Sequence, residues 1–168
     1  MGVFESFGRA SIKLRRKLGM KVYIGADYRG FELKSQLIDF LTNNGYEVAD
    51  EGAYEIAEGD DFNDPAIRVA TSVKKDPEAF GVLICDSAHG MTIQANRFKG
   101  IRAAHCNTPE SAQLAREHDD ANVLCLSAHF MNFDSAKEIA QTFLQTNFEP
   151  LERRVRRINR LDERSDYD

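Results

Sequence analysis

The run Phe80-Gly81-Val82-Leu83-Ile84-Cys85 constrains this chain more than any other feature, because six small or apolar residues follow one another without alternation. A strand with one wet face alternates polar and apolar residues, so an unbroken run of this length, closed by turn residues, reads as a strand buried on both faces. Val22-Tyr23-Ile24-Gly25-Ala26 is a second short run of this kind, closed by Asp27, and Tyr46-Glu47-Val48, 101–106 and 122–126 are further strand candidates. Helical spacing fills the intervals. Phe31, Leu33, Leu37, Ile38 and Leu41 fall on one face and Asn44-Gly45 stops them. The stretch 65–73 reads as a helix with Asp64 as its cap, and another helix follows the turn after Cys85 to about Phe98. Thr108-Pro109-Glu110 combines a hydroxyl cap, Pro at the first helical position and an acid in the first turn, opening a helix to about His118. Asp134 is the expected cap of a last amphipathic helix carrying Ala136, Ile139, Ala140, Phe143 and Leu144. Strands alternating with helices give an α/β fold with a parallel sheet covered on both faces. Ligands of such sheets sit beyond the carboxyl ends of the strands, which selects 27–30, 86–90 and the segments after Cys106 and Leu126.

A chain of 168 residues is long enough for one domain with its own core. Residues 20–162 are read as that domain, 1–19 as a basic, disordered extension, and 163–168 as a tail. The extension lacks the apolar stretch of a secretory signal, and no run approaches the ~20 residues that cross a bilayer. With 22 Lys+Arg against 27 Asp+Glu the chain carries −5 net, which disfavours nucleic acid as a partner. Its basic residues gather at the ends, including Arg153, Arg154, Arg156, Arg157, Arg160 and Arg164, while Glu58, Asp60, Asp61 and Asp64 make the middle acidic. Cys85, Cys106 and Cys125 are odd in number, lie in apolar stretches and form no CxxC pair, as expected of reduced thiols in the cytoplasm. Neither they nor the four histidines have the short-range spacing of a zinc site, so no metal is expected.

Individual candidates each carry a plain alternative. Cys85 ends the central strand just before Asp86-Ser87-Ala88-His89-Gly90, where amides opening a helix favour anions and lower a thiol pKa. A thiolate there can take a proton from carbon while the amides hold the oxyanion; the alternative is an inert buried Cys. Asp27 either orients a substrate hydroxyl or caps the helix starting near Gly30. His118 either acts on a ligand or merely complements a helix C-terminus. The tail arginines form either one solvated helix face or a phosphate clamp.

Several motifs in order carry a resemblance: Gly25-Ala26-Asp27-Tyr28-Arg29-Gly30-Phe31-Glu32-Leu33-Lys34, Ile84-Cys85-Asp86-Ser87, Ala95-Asn96, Gly100-Ile101-Arg102-Ala103-Ala104 and 115–123 around His118. Together they resemble the ribose-5-phosphate isomerase B family, which includes galactose-6-phosphate isomerase subunits, over about 20–162. The resemblance implies a three-layer αβα sandwich with a central parallel, Rossmann-like sheet, a homodimer with shared active sites, and cofactor-free aldose–ketose isomerisation of a phosphorylated sugar through a cis-enediolate. It assigns the base to Cys85, a proton-relaying hydroxyl to Ser87, ring opening to Asp27 and His118, and phosphate binding to Arg153 and Arg157. Tyr28, Asp86, Gly90, Asn96, Asp119 and His129 fall at further pocket positions. Four places depart from the family pattern. Tyr28 and Asp119 stand where His and Asn are usual, and His129 where an Arg is expected. The loop Gly-Ser/Thr-Gly-x-Gly has become Asp86-Ser87-Ala88-His89-Gly90. If Ala88 needs a positive φ, the change costs ~1–2 kcal/mol. Asp86 either raises the thiol pKa or faces away and caps the helix. A sugar-phosphate-binding subunit without turnover, or an isomerase of another aldose phosphate, fits these departures as well.

Overall fold

The computed structural model describes residues 19–57 and 59–163. Residues 1–18 of the extension expected over 1–19, Glu58, and residues 164–168 of the tail expected over 163–168 lie outside the described residues.

Five parallel strands form one sheet in the order β2-β1-β3-β5-β4: β1 (Lys21–Ala26), β2 (Glu47–Asp50), β3 (Phe80–Cys85), β4 (Ala103–His105) and β5 (Val123–Ser127). The run read as doubly buried is β3, and every one of its residues is buried at the centre of the sheet. Crossover helices cover both faces. α1 (Phe31–Asn43), α4 (Pro109–Asp119) and α5 (Phe133–Gln145) bury Leu33, Leu37, Leu41, Ala112, Ile139 and Phe143 on one side. On the other side, α2 (Asn63–Lys75) and α3 (His89–Ala95) bury Val69, Val73, Met91 and Ala95. The result is the expected three-layer αβα sandwich. α6 (Glu152–Leu161) packs against α4, whose end leads into the amino end of β5. Arg154 there donates to the Glu117 carbonyl and pairs with Glu149, and both Asp162 oxygens accept the Gly100 amide at 3.0 and 3.1 Å.

Local chemistry explains the boundaries. Gly45, at φ +86°, ends α1 as read. Thr108 accepts from Ser111 N and Ser111 returns the bond, a reciprocal cap for α4. Elsewhere the expected cap was the wrong neighbour. Asp64 lies inside the first turn of α2, because the chain already turns at Asp61 (Asp64 N to Asp61 O, 3.2 Å). Asn132, rather than Asp134, caps α5 by accepting from Ser135 N, and Asp134 pairs with Lys137. α3 stops at Ala95, short of Phe98, because Asn96 turns to the sheet edge. There its amide bonds Ala103 N and O at 2.8 and 2.9 Å, while Asn122 Oδ1 accepts Arg102 N, so side chains replace the ladder and shorten β4. Nor is the basic tail one solvated face, since Arg154 is buried.

One buried charge ties the frame to the site. Lys34 is 1% exposed, and its ammonium donates to both Asp50 oxygens at 2.7 and 2.9 Å and to the Ala53 carbonyl. The segment thus anchored bonds Ala26 through Gly52 O and Ala53 N, one residue before Asp27.

Candidate active site

Cys85 closes β3 at the carboxyl edge, 5% exposed. Its Sγ accepts the Ala88 amide at 3.1 Å, and the amides of Met91 and Ser87 also face it. These amides favour a thiolate, as the sequence led one to expect, but the net shift has the opposite sign. Burial pushes the thiol above its ordinary value and the Asp27 carboxylate adds to the effect. The carboxylate pressing on the sulfur is thus Asp27, not Asp86. Cys106 and Cys125 fit the inert reading, pushed by burial to about 11 and about 12.

Asp27 sits at the end of β1 beside this sulfur. Its Oδ1 accepts Gly30 N at 3.0 Å, and its carbonyl accepts the same amide, so it closes the turn before α1 while Gly30 itself takes the cap position. Burial raises its pKa, Asp60 and Asp86 raise it further, and the amides of Gly30 and Arg29 oppose them. A buried carboxyl and a buried thiol, each with its pKa raised by burial, thus lie side by side at the strand ends, a pairing suited to proton transfer.

The loop between them is strained. Ala88, at φ 67°, is one of two non-glycine residues with positive φ among the described residues, so the family's glycine position does require the left-handed conformation. Ala there costs ~1–2 kcal/mol. Gly90 is needed for a different reason: a methyl on it would lie 2.7 Å from the Phe62 ring, which packs over the start of α3. Asp86 does not cap α3, where Ala88 holds the cap position. It turns outward, 55% exposed, to His129 Nδ1 at 3.4 Å, while its carbonyl accepts from His129 N and Ser127 Oγ. Two departures from the family pattern therefore face each other across the ends of β3 and β5. Tyr28 is half-buried, its amide held by Asp60 Oδ1 at 3.2 Å. Sequence reasoning saw Asp60 only as part of an acidic run; its offset from Asp27 offered no local signal.

The other expected residues lie elsewhere. In a parallel sheet the end of α4 feeds the start of β5, so His118 and Asp119, both exposed, sit at the amino edge of the strands. α6 places the exposed Arg153 and Arg157 at that same edge. A groove of about 440 Å³ there is lined by Asn96, Arg102, Asp119, Ala121, Leu161 and Asp162. One chain therefore gathers Asp27, Tyr28, Cys85, Asp86, Ser87, Gly90 and His129 at one end of the sheet. Asn96, His118, Asp119, Arg153 and Arg157 lie at the opposite end. Among the described residues no group of three His, Cys, Asp or Glu side chains is placed to hold a metal ion, and no helix is long and apolar enough to cross a membrane.

Known proteins share this fold. The sequence profile of the Ribose/Galactose Isomerase family matches residues 22–161. The probable ribose-5-phosphate isomerase B of Mycoplasma pneumoniae is 41% identical over 128 residues, covering 76% of this chain and 84% of the relative. The Escherichia coli ribose-5-phosphate isomerase B is 36% identical over 146 residues, 86% and 97% of the two chains. Among solved structures, the Thermotoga maritima ribose 5-phosphate isomerase superposes with a TM-score of 0.82 at 40% identity, covering 86% of this chain and 98% of that one. The Mycoplasma genitalium ribose-5-phosphate isomerase B, crystallised with ribulose-5-phosphate, gives 0.83 at 35% identity, covering 88% and 99%. This chain belongs to the ribose/galactose isomerase family.

Proposed function

We propose that this protein is a cofactor-independent isomerase that interconverts ribose 5-phosphate and ribulose 5-phosphate, working as a homodimer with two shared sites. The observation that carries the reading is the Cys85 sulfur at the strand end, faced by three amides with the Asp27 carboxyl beside it. Asp27 and the second copy's His118 open the sugar ring by moving a proton between the ring oxygen and the C1 hydroxyl. Cys85 thiolate then takes the C2 proton, and the electron pair moves onto O1 as a cis-enediolate held by the loop amides. The thiol returns the proton to C1 while the Ser87 hydroxyl relays a proton between O1 and O2, so substrate and product remain isomers. Arg153 and Arg157 of the second copy clamp the phosphate.

The raised thiol pKa supports sharing. No cation is among the influences on Cys85 from the described residues, and a completed site would bring two arginines, whose positive charge lowers a thiol pKa. Phe130 at the carboxyl edge, 68% exposed, and Leu161 at the amino edge, 64% exposed, offer apolar area for such a contact. Three free, buried thiols fit a reducing compartment, the cytoplasm. A second reading, a binding subunit without turnover, is favoured by the altered loop, where Ala88 holds a left-handed conformation in place of the family's glycine. The Asp86–His129 pair favours a third, an isomerase of a different aldose phosphate.

Proton NMR in D₂O with ribose, allose, galactose and erythrose phosphates decides among them. Cys85-dependent exchange at C2, fastest with ribose 5-phosphate and lost in Cys85→Ala, is the expected result. A faster different sugar would move the substrate assignment, and silence from folded protein that still binds phosphate would leave the binding subunit.

A further inference from the structure

We propose that Asp120 is a positioning residue for ring opening, its carboxylate clamped between Arg102 and Arg116 so that the end of α4 presents His118 and Asp119 in one fixed geometry. The inference rests on the shared-site isomerase reading above.

His118 and Asp119 are exposed, so their orientation depends on the backbone that carries them. That backbone ends in Asp120 at φ 47°, the second of the two non-glycine residues in the left-handed region among the described residues. Such strain persists where the surroundings over-determine it, and here they do. Arg116 Nη1 donates to Asp120 Oδ1 at 2.7 Å and Arg102 Nη2 to Oδ2 at 2.9 Å, while Arg102 Nε donates to the Asp120 carbonyl at 2.7 Å. Each cation is itself fixed. Arg116 is buried, stacks over Phe80 at 4.7 Å, and donates to Ala121 O and Thr146 O. Arg102 is held through its own amide by Asn122 Oδ1, whose Nδ2 reaches Gly100 O.

Ending a helix needs none of this. α1 stops at Asn44-Gly45 with a glycine at φ +86°. At the end of α4 a carboxylate with two arginine partners stands where a glycine would turn the chain. The added order falls on the two exposed residues just before it, and small misplacements of reacting groups cost large factors in rate.

Asp120→Asn keeps the shape and removes the charge that gathers both arginines. Ribose 5-phosphate binds as a furanose and needs ring opening. Erythrose 4-phosphate bears its phosphate on the oxygen that would close such a ring, so it reacts in open form. The expected result is a fall of tenfold or more in kcat/KM for ribose 5-phosphate with C2 exchange of erythrose 4-phosphate kept within about twofold. His118→Asn should give the same split, and the double variant should be no worse than the worse single one. Equal loss with both sugars, or no loss with either, would overturn the inference. Backbone ¹⁵N relaxation tests it without turnover: amide order parameters at 118 and 119 should fall from about 0.85 toward 0.6 in Asp120→Asn, with 112–115 unchanged. Unchanged order at 118 and 119 would also overturn it. Absence of turnover in the unaltered protein would refute the isomerase reading and leave the relaxation result to decide the positioning.

Discussion

Replacing Gly30 by Ala tests how closely the Asp27 turn is set against the central strand. Gly30 has φ −90°, so it is required for space and not for backbone conformation. A methyl there would sit 2.8 Å from the Ile84 carbonyl carbon and from Ile84 Cγ2, and closer still to the carbonyl oxygen. That carbonyl lies near the end of β3, the central strand of the sheet, and also accepts Asp27 N at 3.2 Å, so it cannot readily yield. The 27–30 turn must instead lift by roughly 0.6 Å or more to regain ordinary contact. Overpacking of this kind costs about 1–3 kcal/mol, which for a chain of this size is a fall in Tm of roughly 2–12 °C. Because Gly30 N is the donor to Asp27 Oδ1, the lift also moves the carboxyl away from Cys85, and C2 exchange should drop by one to two orders of magnitude. Gly100→Ala is the matched control. Its φ of +85° costs ~1–2 kcal/mol, its added methyl meets open space, and exchange should survive. Thermal melts and D₂O exchange on both variants read the outcome. A Gly30→Ala protein with unaltered Tm and full exchange would refute the reasoning.

Three further outcomes are expected. Asp50→Asn removes the partner of a buried ammonium, and because Asp50 is itself 36% exposed the loss should lie near the low end for a broken buried pair, about 2–3 kcal/mol by urea denaturation; a loss under 0.5 kcal/mol would contradict the burial of that charge. Asp27→Asn removes the negative neighbour of Cys85, so the pH profile of iodoacetamide alkylation should move to lower pH; Cys106 and Cys125, at about 11 and about 12, keep the background low, and an unmoved profile would separate the two groups electrostatically. His105 has its pKa lowered by burial and by His89, and its Nε2 is buried without a partner. The unfolded chain therefore takes up this proton more readily, and stability falls as pH drops through the unfolded value near 6.5; His105→Gln should flatten the urea midpoint between pH 7.5 and 5, and an equal slope in both proteins would exclude the residue.

What the sequence disclosed follows the range of each interaction. β3 matched its reading residue for residue, because an unbroken apolar run has few other solutions in a sheet with helices on both faces. The Thr108 cap was legible because all its parts lie within four residues. The caps expected at Asp64 and Asp134 were each misassigned by two positions, to Phe62 and Asn132, since composition does not say where the preceding chain turns. At Cys85 the local amides were visible and the burial and the Asp27 charge were not, so the direction of the thiol shift came out reversed. The Arg116–Asp120 half of the clamp has i,i+4 helical spacing, whereas Arg102 meets Asp120 across 18 residues of chain, beyond any spacing rule. The separation of the candidate residues into two ends, by contrast, was implicit in the topology: a right-handed crossover returns each helix to the opposite edge from the strand it leaves.

That separation supplies the most direct test of the account. Cys85→Ala, expected to be inactive, and His118→Asn, expected to keep a tenth or less of the activity with ribose 5-phosphate, are mixed in equal amounts, unfolded and refolded together, and assayed with that sugar. If each site takes Cys85 from one copy and His118 from the other, every mixed dimer holds one intact site. Half the dimers are mixed, so activity should recover to roughly a quarter of the unaltered protein. A mixture no more active than its components, made from an unaltered protein that turns over ribose 5-phosphate, would contradict the shared site.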